Sequence, residues 1–314
     1  MIKKRKLDIV IPFLNEFESL PLLIENIITY FPDLSKLGFD SRILLVDDGS
    51  TDGTFERIKK NSYPNLKILK LSHNFGHQNA VWAGIENSRP GAYVIVMDGD
   101  GQDPPMELIR ICQSFKTSHD VVFMSRRSRI DKKIKVVLSK LYYLTLTNVL
   151  GSSTHINVGD FYGISPRAKY ALLMHDERVK YIRGLLTLIG YKQIVLDYDR
   201  LGRNLGKTKY PLTKMMKLAI DGITGFSIRP LIFVVIATSI GIFSGGLLIF
   251  YVLFLKLYGS ENLIPGWAFS TILNTVFFIF ILVILSIISL YLARIIQEIK
   301  KRPIYIIENE SSHD

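Results

Sequence analysis

The sequence predicts an α/β fold in two parts, a Rossmann-like domain with a mostly parallel sheet and, after it, a hairpin of two transmembrane helices. Two observations lead to this prediction. In the first two thirds of the 314 residues, short apolar runs alternate with segments of helical periodicity. Further on, two stretches of about 25 residues contain no charged side chain, and about 20 apolar residues suffice to cross a bilayer.

Strands and helices alternate along the first part of the chain. Apolar runs with the length and composition of strands lie at residues 7–13, 42–48, 66–72, 93–98 and 120–125. Helical patterns fit between them near residues 17–30, 52–60, 78–87 and 104–116, with Thr51, Asp52 and Asp103 available as N-caps. This succession of βαβ units predicts a largely parallel sheet that is covered by helices on both faces.

The two uncharged stretches span residues 231–255 and 268–293. As helices each would be roughly 37 Å long, against a hydrocarbon core of about 30 Å, so both fit a membrane with some tilt. Two buried helices of a soluble core are the alternative interpretation, although such cores rarely keep that length free of charge. The intervening "KLYGSENLIPGW" is too short for a domain, so the two helices form a hairpin.

Basic residues predict the orientation of this hairpin. Lys and Arg are frequent in "RNLGKTKYPLTKMMK" before the first helix and in "ARIIQEIKKR" after the second, whereas the loop contains only Lys256. Under the positive-inside rule, the large N-terminal part is therefore cytoplasmic. We expect a multi-pass protein of the cell membrane. Its parts are a cytoplasmic domain (1–210), a juxtamembrane helix (211–228), the hairpin (229–294) and a cytoplasmic tail (295–314).

Polar clusters follow the predicted strands at the point where each strand ends. They read "PFLNEFES", "DDGSTDGT", "SHNFGHQNA" and "DGDGQDPP". Each cluster alone has the composition of an ordinary turn. In open parallel sheets, however, ligands bind beyond the carboxyl ends of the strands, and all of these clusters fall at that edge. The pattern favours a binding site there.

The cluster "DGDGQDPP" has the residue types of a metal site. Asp98, Asp100 and Gln102 alternate along the chain, so on an extended backbone their oxygens would point toward one hard cation, Mg²⁺ or Mn²⁺. The acids repel one another until such a cation is bound. Because Mg²⁺ is usually held by one or two carboxylates and by substrate phosphates, a diphosphate is the natural co-ligand.

Several motifs together resemble a known family. "IVIPFLNE", "VDDGSTDGT", "NFGHQNAVWAGI" and "VMDGDGQDPP" are similar, in order and spacing, to the inverting glycosyltransferases of family 2, with their GT-A fold and DxD metal motif. "INVGDFYGISPRA", "YIRGLLTLIGYKQ" and the juxtamembrane segment extend the resemblance to polyprenyl-phosphate glycosyltransferases, the group of dolichyl-phosphate mannose and glucose synthases. The metal motif of that group usually reads DADLQDPP, so Gly99 and Gly101 are departures.

The resemblance implies roles for individual residues. Asp98, Asp100 and Gln102 would hold the metal, and Asp160 would act with Asp100 at the reacting centre. The base and ribose of the nucleotide would be bordered by Pro12, Asn15, Glu16, Asp47 and Asp48. The diphosphate or the acceptor phosphate would be clamped by Arg200, Arg203 and Lys209. For these basic residues, attraction to anionic lipid is the alternative role.

The implied chemistry is a single displacement at the anomeric carbon. The leaving nucleoside diphosphate needs cationic partners rather than a proton, so no general acid is required. A phosphate monoester with a second pKa near 6 is largely a dianion at neutral pH, so a strong general base is unnecessary as well. We therefore interpret Asp160 as an orienting or weakly basic group, and we place His73, His77 and His155 outside the chemistry.

Two amphipathic segments bear on the lipid acceptor. Residues 132–149 and the juxtamembrane segment each place apolar side chains on one helical face beside lysines, as interfacial helices do. Helices packed inside the domain would show the same pattern.

The expected partners are a nucleotide sugar, with UDP-glucose as first choice, undecaprenyl or dolichyl phosphate, and membrane lipid. A homo-oligomer stays open, and no nucleic acid is expected.

Two other functions compete with this interpretation. A processive polysaccharide synthase would share the catalytic domain but would carry a QxxRW motif, and neither Trp82 nor Trp267 lies in that context. A membrane-anchored binding module without activity would lack some of the acidic residues of the site. Here all of these residues are present.

Overall fold

The computed structural model describes residues 4–61, 63–127, 158–178, 180–200 and 266–313, with scattered positions between 234 and 254. The chain divides into two compact units. One comprises Met1–Lys214 with Arg302–Asp314, and the other Met215–Lys301. The predicted interfacial helix (132–149), the juxtamembrane helix (211–228), Arg203 and Lys209 lie outside the described residues.

The first unit is built on a mostly parallel sheet, as the sequence predicts. Its described strands are β1 (Arg5–Phe13), β2 (Phe39–Asp47), β3 (Leu66–Leu71), β4 (Tyr93–Val96), β5 (Val121–Arg126), β6 (Val158–Ile164), β7 (Gln193–Tyr198) and β8 (Ile307–His313). They lie side by side in the order β7-β5-β6-β4-β1-β2-β3-β8. The neighbours β4, β1, β2 and β3 are parallel. In contrast, β6 runs antiparallel to β4 and β5, and β8 runs antiparallel to β3.

The sequence analysis missed the strands β6, β7 and β8, and both β6 and β8 have mixed polarity. The strand β6, "VGDFYGI", contains two glycines, and a Cβ at Gly163 would lie 2.4 Å from Ile111 Cγ2. The glycine therefore lets the helix that carries Ile111 pack closely on the strand. The strand β8, "IENESSH", is polar on both faces because it covers an edge rather than a core.

The helices of the first unit are α1 (Ser19–Thr29), α2 (Phe31–Lys36), α3 (Thr54–Lys60), α4 (His77–Glu86), α5 (Glu107–Lys116), α6 (Pro166–Leu173) and α7 (Ile182–Leu188). The N-cap of α3 is Gly53 rather than Thr51 or Asp52, although Asp52 Oδ1 accepts from the backbone N–H of Thr54 at 3.0 Å. The prediction that Asp103 caps α5 was wrong. That helix begins at Glu107, and Asp103 is fully buried on the sheet side of the loop.

Both faces of the sheet are packed. Leu7, Ile9 and Ile11 of β1 belong to one buried cluster, which also contains residues of α1 and α5. On the other face α4 approaches β1 closely, because a Cβ at Gly84 would lie 2.3 Å from Val10 Cγ1. This close packing fixes the first turn of α4 at the carboxyl edge of the sheet.

Among its described residues, the second unit contains one long apolar helix, α8 (Gly266–Ile299). Within it, Val276–Ala293 has a mean hydropathy of 3.0 and no buried residue, so it is long and apolar enough to cross a membrane. The other predicted transmembrane helix, 231–255, lies largely outside the described residues. The hairpin therefore stays a prediction.

The C-terminal segment after α8 belongs to the first unit, a feature that the sequence analysis did not foresee. Its strand β8 pairs with β3, and the backbone N–H of Ser72 donates to the carbonyl of Ile306 at 2.9 Å. Just before it, the Tyr305 hydroxyl donates to Glu86 Oε2 at 2.7 Å and accepts from Asn87 Nδ2 at 2.9 Å. The tail thus covers one edge of the sheet and is tied to the end of α4.

Candidate active site

The candidate site lies at the carboxyl edge of the sheet, where β1, β2 and β4 end. The strand β6 runs in the opposite direction to β4, so its first residues begin at this same edge. This reversal brings Asp160 beside the loop that follows β4. The topology therefore assembles side chains that are far apart in sequence.

Asp98 and Asp100 face one common cation. One carboxylate oxygen of each, Oδ2, lies 3.3 Å from Nη2 of Arg200. The strand ends at Val96 and the chain then turns, with the backbone N–H of Gln102 donating to Asp100 Oδ1 at 3.1 Å. The expectation of an extended backbone here was wrong, because a turn rather than strand alternation makes the two carboxylates converge.

The backbone of this loop explains why both positions are occupied by glycine. A Cβ at Gly99 would lie 3.1 Å from the carbonyl oxygen of Pro12, so even an alanine would be tight against β1. Gly101 has φ +70°, a conformation that side chains disfavour. The departures from the usual motif therefore fit the backbone seen here.

Asp103 is buried and contacts both Tyr198 and Arg200. Its Oδ1 accepts from the Tyr198 hydroxyl at 2.6 Å and lies 3.4 Å from Nε of Arg200. The same Tyr198 hydroxyl accepts from Arg126 Nε at 3.3 Å. Tyr198 is the last residue of β7, so this buried contact fixes the start of the segment that carries Arg200.

Asp160 is surrounded by donors and cations. Its Oδ1 accepts from Gln78 Nε2 at 3.3 Å and lies 3.2 Å from Nε of Arg183, while Oδ2 lies 3.4 Å from Nε2 of His77. Burial raises the pKa of Asp160, but the charges of Arg183 and His77 together hold it well below its ordinary value. Asp160 is therefore ionised throughout the neutral range.

His77 lies inside the site, although the sequence analysis placed it outside the chemistry. Its Nε2 stands between Asp160 and Asp98, 3.8 Å from Oδ1 of the latter. Removal from water lowers the pKa of His77, but the hydrogen bond and charge of Asp160, with the charge of Asp98, raise it to about 9. His77 is thus a cation at neutral pH. His73 instead stacks on Phe75 with ring centroids 3.8 Å apart, and His155 lies outside the described residues.

The predicted nucleotide-binding residues follow β1 and β2. Asn15 ties the two loops together, because its backbone N–H donates to Ser50 Oγ at 3.0 Å and its Oδ1 accepts from the Thr51 N–H at 2.9 Å. Asp47 is fully buried and accepts from the Ser50 N–H at 2.8 Å. Its second oxygen, Oδ2, has no hydrogen-bond partner among the residues that the structure describes.

Asp48, Glu16 and Pro12 make contacts of their own in this region. Both carboxylate oxygens of Asp48 accept backbone N–H groups, from Phe75 at 2.7 Å and Gly76 at 3.0 Å. Asp48 thereby fixes the loop that leads into α4 and His77. Glu16 accepts from the Ser19 hydroxyl at the start of α1. Pro12 is buried within β1, opposite Val46.

The site balances acids against cations. Asp98, Asp100, Asp103 and Asp160 face the positive charges of His77, Arg183 and Arg200. Partial burial and the neighbouring carboxylates raise the pKa of Asp98 to about 6, against the opposing charge of His77. No three or more His, Cys, Asp or Glu in the described part of the chain form a metal-binding group. A metal here would rest on two carboxylates and on substrate oxygens, as is usual for Mg²⁺.

Sequence reasoning missed the roles of His77, Gln78 and Arg183. The signals were present, since "NFGHQNA" holds the first two and "YIRG" the third. These residues reach Asp160 only because α4 and α7 contact the start of β6. No spacing rule for the chain predicts that contact.

Comparison with known proteins agrees with this architecture. Residues 8–171 match the family described as Glycosyl transferase family 2. The relative YkcC of Bacillus subtilis, described as a glycosyltransferase, is 35% identical over 85% of this chain and 83% of its own length. An undecaprenyl-phosphate 4-deoxy-4-formamido-L-arabinose transferase from Photorhabdus laumondii is 31% identical over 97% of this chain and 94% of its own.

One similar solved structure is glucosyl-3-phosphoglycerate synthase of Mycobacterium tuberculosis with bound uridine diphosphate. It is 18% identical in sequence and has a TM-score of 0.49, and the alignment covers 70% of this chain and 78% of that chain. The family match covers more than half of the chain, and relatives above 30% identity align over nearly all of it. The chain therefore belongs to glycosyl transferase family 2, has a GT-A-like α/β fold and is a glycosyltransferase.

Proposed function

We propose that the protein transfers a sugar from a nucleotide sugar to a polyprenyl phosphate. The observation that carries this proposal is the convergence of Asp98 and Asp100 on a single cation, 3.3 Å from each, next to the ionised Asp160. The Photorhabdus relative, which aligns over 97% of this chain, is named for transfer to undecaprenyl phosphate. That name supports a lipid-phosphate acceptor.

The donor set of the site fits a divalent metal, Mg²⁺ or Mn²⁺. One oxygen of Asp98 and one of Asp100 lie 3.3 Å from the same Arg200 nitrogen, so these two carboxylates would hold the metal and diphosphate oxygens would supply further ligands. When bound, the metal neutralises the charge that develops on the leaving diphosphate. Asp98 and Asp100 supply charged ligands, while the contact seen for Gln102 is made by its backbone.

The nucleotide is held on the side of β1 and β2. Asp47 Oδ2 is a fully buried acceptor that lacks a partner within the described residues, so a donor group of the base or ribose would satisfy it after a local shift of the loop that follows β2. Asn15 and Glu16 border the same loops, and Pro12 lies beneath them. Asp48 acts indirectly, because both of its oxygens are engaged in holding the loop before His77.

Asp160 orients the acceptor rather than removing a proton from it. A carboxylate whose pKa lies far below neutrality is a weak base, and a phosphate dianion needs none. The cations His77 and Arg183 next to it offer charge to the incoming phosphate. Arg200, with Arg203 and Lys209, would clamp the phosphates. We expect inversion at the anomeric carbon and place UDP-glucose first among donors.

The pairing of β8 with β3 supports a membrane hairpin. Since β8 follows α8 and lies in the same sheet as β1 to β7, both ends of the segment 215–301 lie on one side of any membrane. A chain that leaves and returns to the same side crosses an even number of times. One crossing by Val276–Ala293 would then require a second, for which the uncharged stretch 231–255 is suited. The catalytic domain and tail are placed in the cytoplasm.

One experiment tests the proposal directly. Membranes containing the protein are incubated with undecaprenyl phosphate and a panel of radiolabelled nucleotide sugars, and the lipid fraction is extracted. We expect label in a polyprenyl-phosphate sugar from one donor, lost in an Asp98→Asn variant. Label in a growing polymer would instead indicate a processive synthase. Binding of a nucleotide sugar with no transfer to any lipid would indicate a binding module.

A further inference from the structure

Arg200 occupies the place where a divalent metal is expected. Its Nη2 lies 3.3 Å from one oxygen of Asp98 and 3.3 Å from one oxygen of Asp100, while Nε lies 3.4 Å from Asp103 Oδ1. The side chain is only 23% exposed. One guanidinium group thus faces three carboxylates, two of which are the proposed metal ligands.

We propose that Arg200 is an internal counter-ion for Asp98 and Asp100, and that it must leave these carboxylates when a divalent metal binds. Binding of the metal and release of the Arg200 guanidinium from the two carboxylates would then occur together as one exchange of cations. The metal part of this inference rests on the proposed function. The competition itself concerns only residues of this chain and is measurable with the metal alone.

The exchange follows from the sharing of ligand atoms. A metal held by Asp98 and Asp100 would compete with the guanidinium that bridges their Oδ2 atoms, because two cations that close repel each other. Without either cation, Asp98 and Asp100 would stand unneutralised next to the buried Asp103 and near Asp160. The repulsion among these acids explains why the loop holds a cation of its own before the metal arrives.

The way in which Arg200 is held allows it to move. Its backbone follows β7, whose last residue Tyr198 is fixed by the 2.6 Å hydrogen bond to Asp103. The side chain is held by two long hydrogen bonds, which Nη2 donates to Asp98 Oδ2 and Asp100 Oδ2 at 3.3 Å each. Nε is buried and makes no hydrogen bond to any described residue, although Asp103 is 3.4 Å away. The backbone near Arg200 is therefore fixed, while its guanidinium leaves one nitrogen without a hydrogen bond. This combination would allow the guanidinium to exchange one partner for another.

The released guanidinium has a natural second partner. Arg forms bidentate contacts with phosphate oxygens as readily as with carboxylates, and a metal-bound diphosphate would present such oxygens close by. Metal and nucleotide should therefore bind cooperatively. The metal alone must displace Arg200 without compensation, whereas the metal with a diphosphate gives Arg200 a new partner.

The test measures Mn²⁺ binding to the full-length protein in neutral detergent, from the decrease of the free Mn²⁺ signal in electron paramagnetic resonance. We expect Arg200→Gln to bind Mn²⁺ about three- to tenfold more tightly than the wild type, since it removes a competing ion pair. Arg200→Lys keeps a positive charge and should stay near the wild type. Arg126→Gln is the matched control, because it removes a nearby cation whose charge also acts on Asp98 but which hydrogen-bonds Tyr198 and forms no ion pair with Asp98 or Asp100, so any gain should be smaller.

Addition of uridine diphosphate should reverse the order. With the nucleotide present, Arg200→Gln should bind Mn²⁺ more weakly than the wild type. Unchanged or weaker Mn²⁺ binding by Arg200→Gln in the absence of nucleotide overturns the exchange, and so does an equal gain in Arg126→Gln. If the wild type binds Mn²⁺ but no uridine diphosphate, the choice of donor under the proposed function fails while the exchange stands.

Discussion

His77 Nε2 lies 3.4 Å from Asp160 Oδ2, and this contact joins the start of α4 to the start of β6. Each residue changes the other's titration. Asp160 raises the pKa of His77 to about 9, despite the opposing effect of its partial removal from water. His77, after Arg183, lowers the pKa of Asp160 against the raising effect of burial. The pair therefore stays charged across the neutral range.

Removal of Arg183 should shift the acidic side of the pH profile. In Arg183→Gln the pKa of Asp160 loses its largest lowering influence and rises, so Asp160 becomes protonated at higher pH than in the wild type. The wild type should keep its activity to strongly acidic pH as far as Asp160 is concerned. We expect the acidic limb of kcat/KM in the variant to move to higher pH, measured by transfer to polyprenyl phosphate.

The control for this measurement is Arg110→Gln. Arg110 also pairs with a carboxylate, Glu107, but it lies on α5 away from Asp160. Its pH profile should match that of the wild type. An Arg183→Gln enzyme whose profile also matched the wild type would show that the ionisation of Asp160 does not matter to the reaction.

Replacement of a metal ligand should abolish transfer. In Asp98→Asn or Asp100→Asn the divalent ion loses a charged ligand, and we expect kcat/KM to fall by about a hundredfold or more. EDTA should have the same effect on the wild type, and added Mn²⁺ or Mg²⁺ should restore activity. Asp33→Asn, which alters only an exposed pair with Lys36, serves as control. Full activity in EDTA would contradict the metal assignment.

The parallel part of the sheet was predictable because its strands are mostly apolar. Each of β1 to β5 contains a short, mostly buried apolar run before a turn, and such runs reveal both the strand and the carboxyl edge where polar residues gather. Asp98 and Asp100 follow directly from that edge. Asp160 was identified only from the resemblance to the family, because it stands at the start of the strand β6, which the sequence analysis did not predict.

The cations of the site were harder to predict, because their positions depend on the order and direction of strands that are distant in sequence. His77 and Arg183 reach Asp160 only because β6 runs antiparallel to β4. Likewise, Arg200 meets Asp98 because β7 lies beside β5 at the end of the sheet. Polar edge strands such as β8 lack the alternation that a core imposes. Their place in the sheet therefore leaves no periodic signal.

The tail should contribute to the stability of the catalytic unit through Tyr305. In Tyr305→Phe, Glu86 and Asn87 lose a shared hydrogen-bond partner, at a cost of about 0.5–1.5 kcal/mol in the free energy of unfolding. The corresponding fall in Tm is about 1–5 °C, measured by thermal unfolding in detergent. Glu308→Gln breaks only a half-exposed pair with Lys70 and should change Tm by less. Equal melting of Tyr305→Phe and the wild type would show that the tail is not tied to α4 in solution.

The last prediction concerns the two sides of the membrane. Because β8 pairs with β3, we expect the tail and the catalytic unit to share one compartment, and the distribution of Lys and Arg predicts that this compartment is the cytoplasm. Cys112 is a buried thiol whose pKa is raised by burial. It is replaced with Ala, so that each introduced cysteine is the only thiol that can react with the reagent. On intact cells, Ser260→Cys in the loop should react with an impermeant thiol reagent.

Glu310→Cys tests the other side. It lies on β8 with its side chain half exposed, so it should react only after the cells are opened. If both variants react on intact cells, the tail is outside and β8 cannot lie in the sheet of a cytoplasmic domain. If neither reacts until the cells are opened, the segment 215–301 does not cross the membrane. Reaction of the Ser260→Cys variant alone requires two crossings, the number that the uncharged stretches 231–255 and 268–293 can supply.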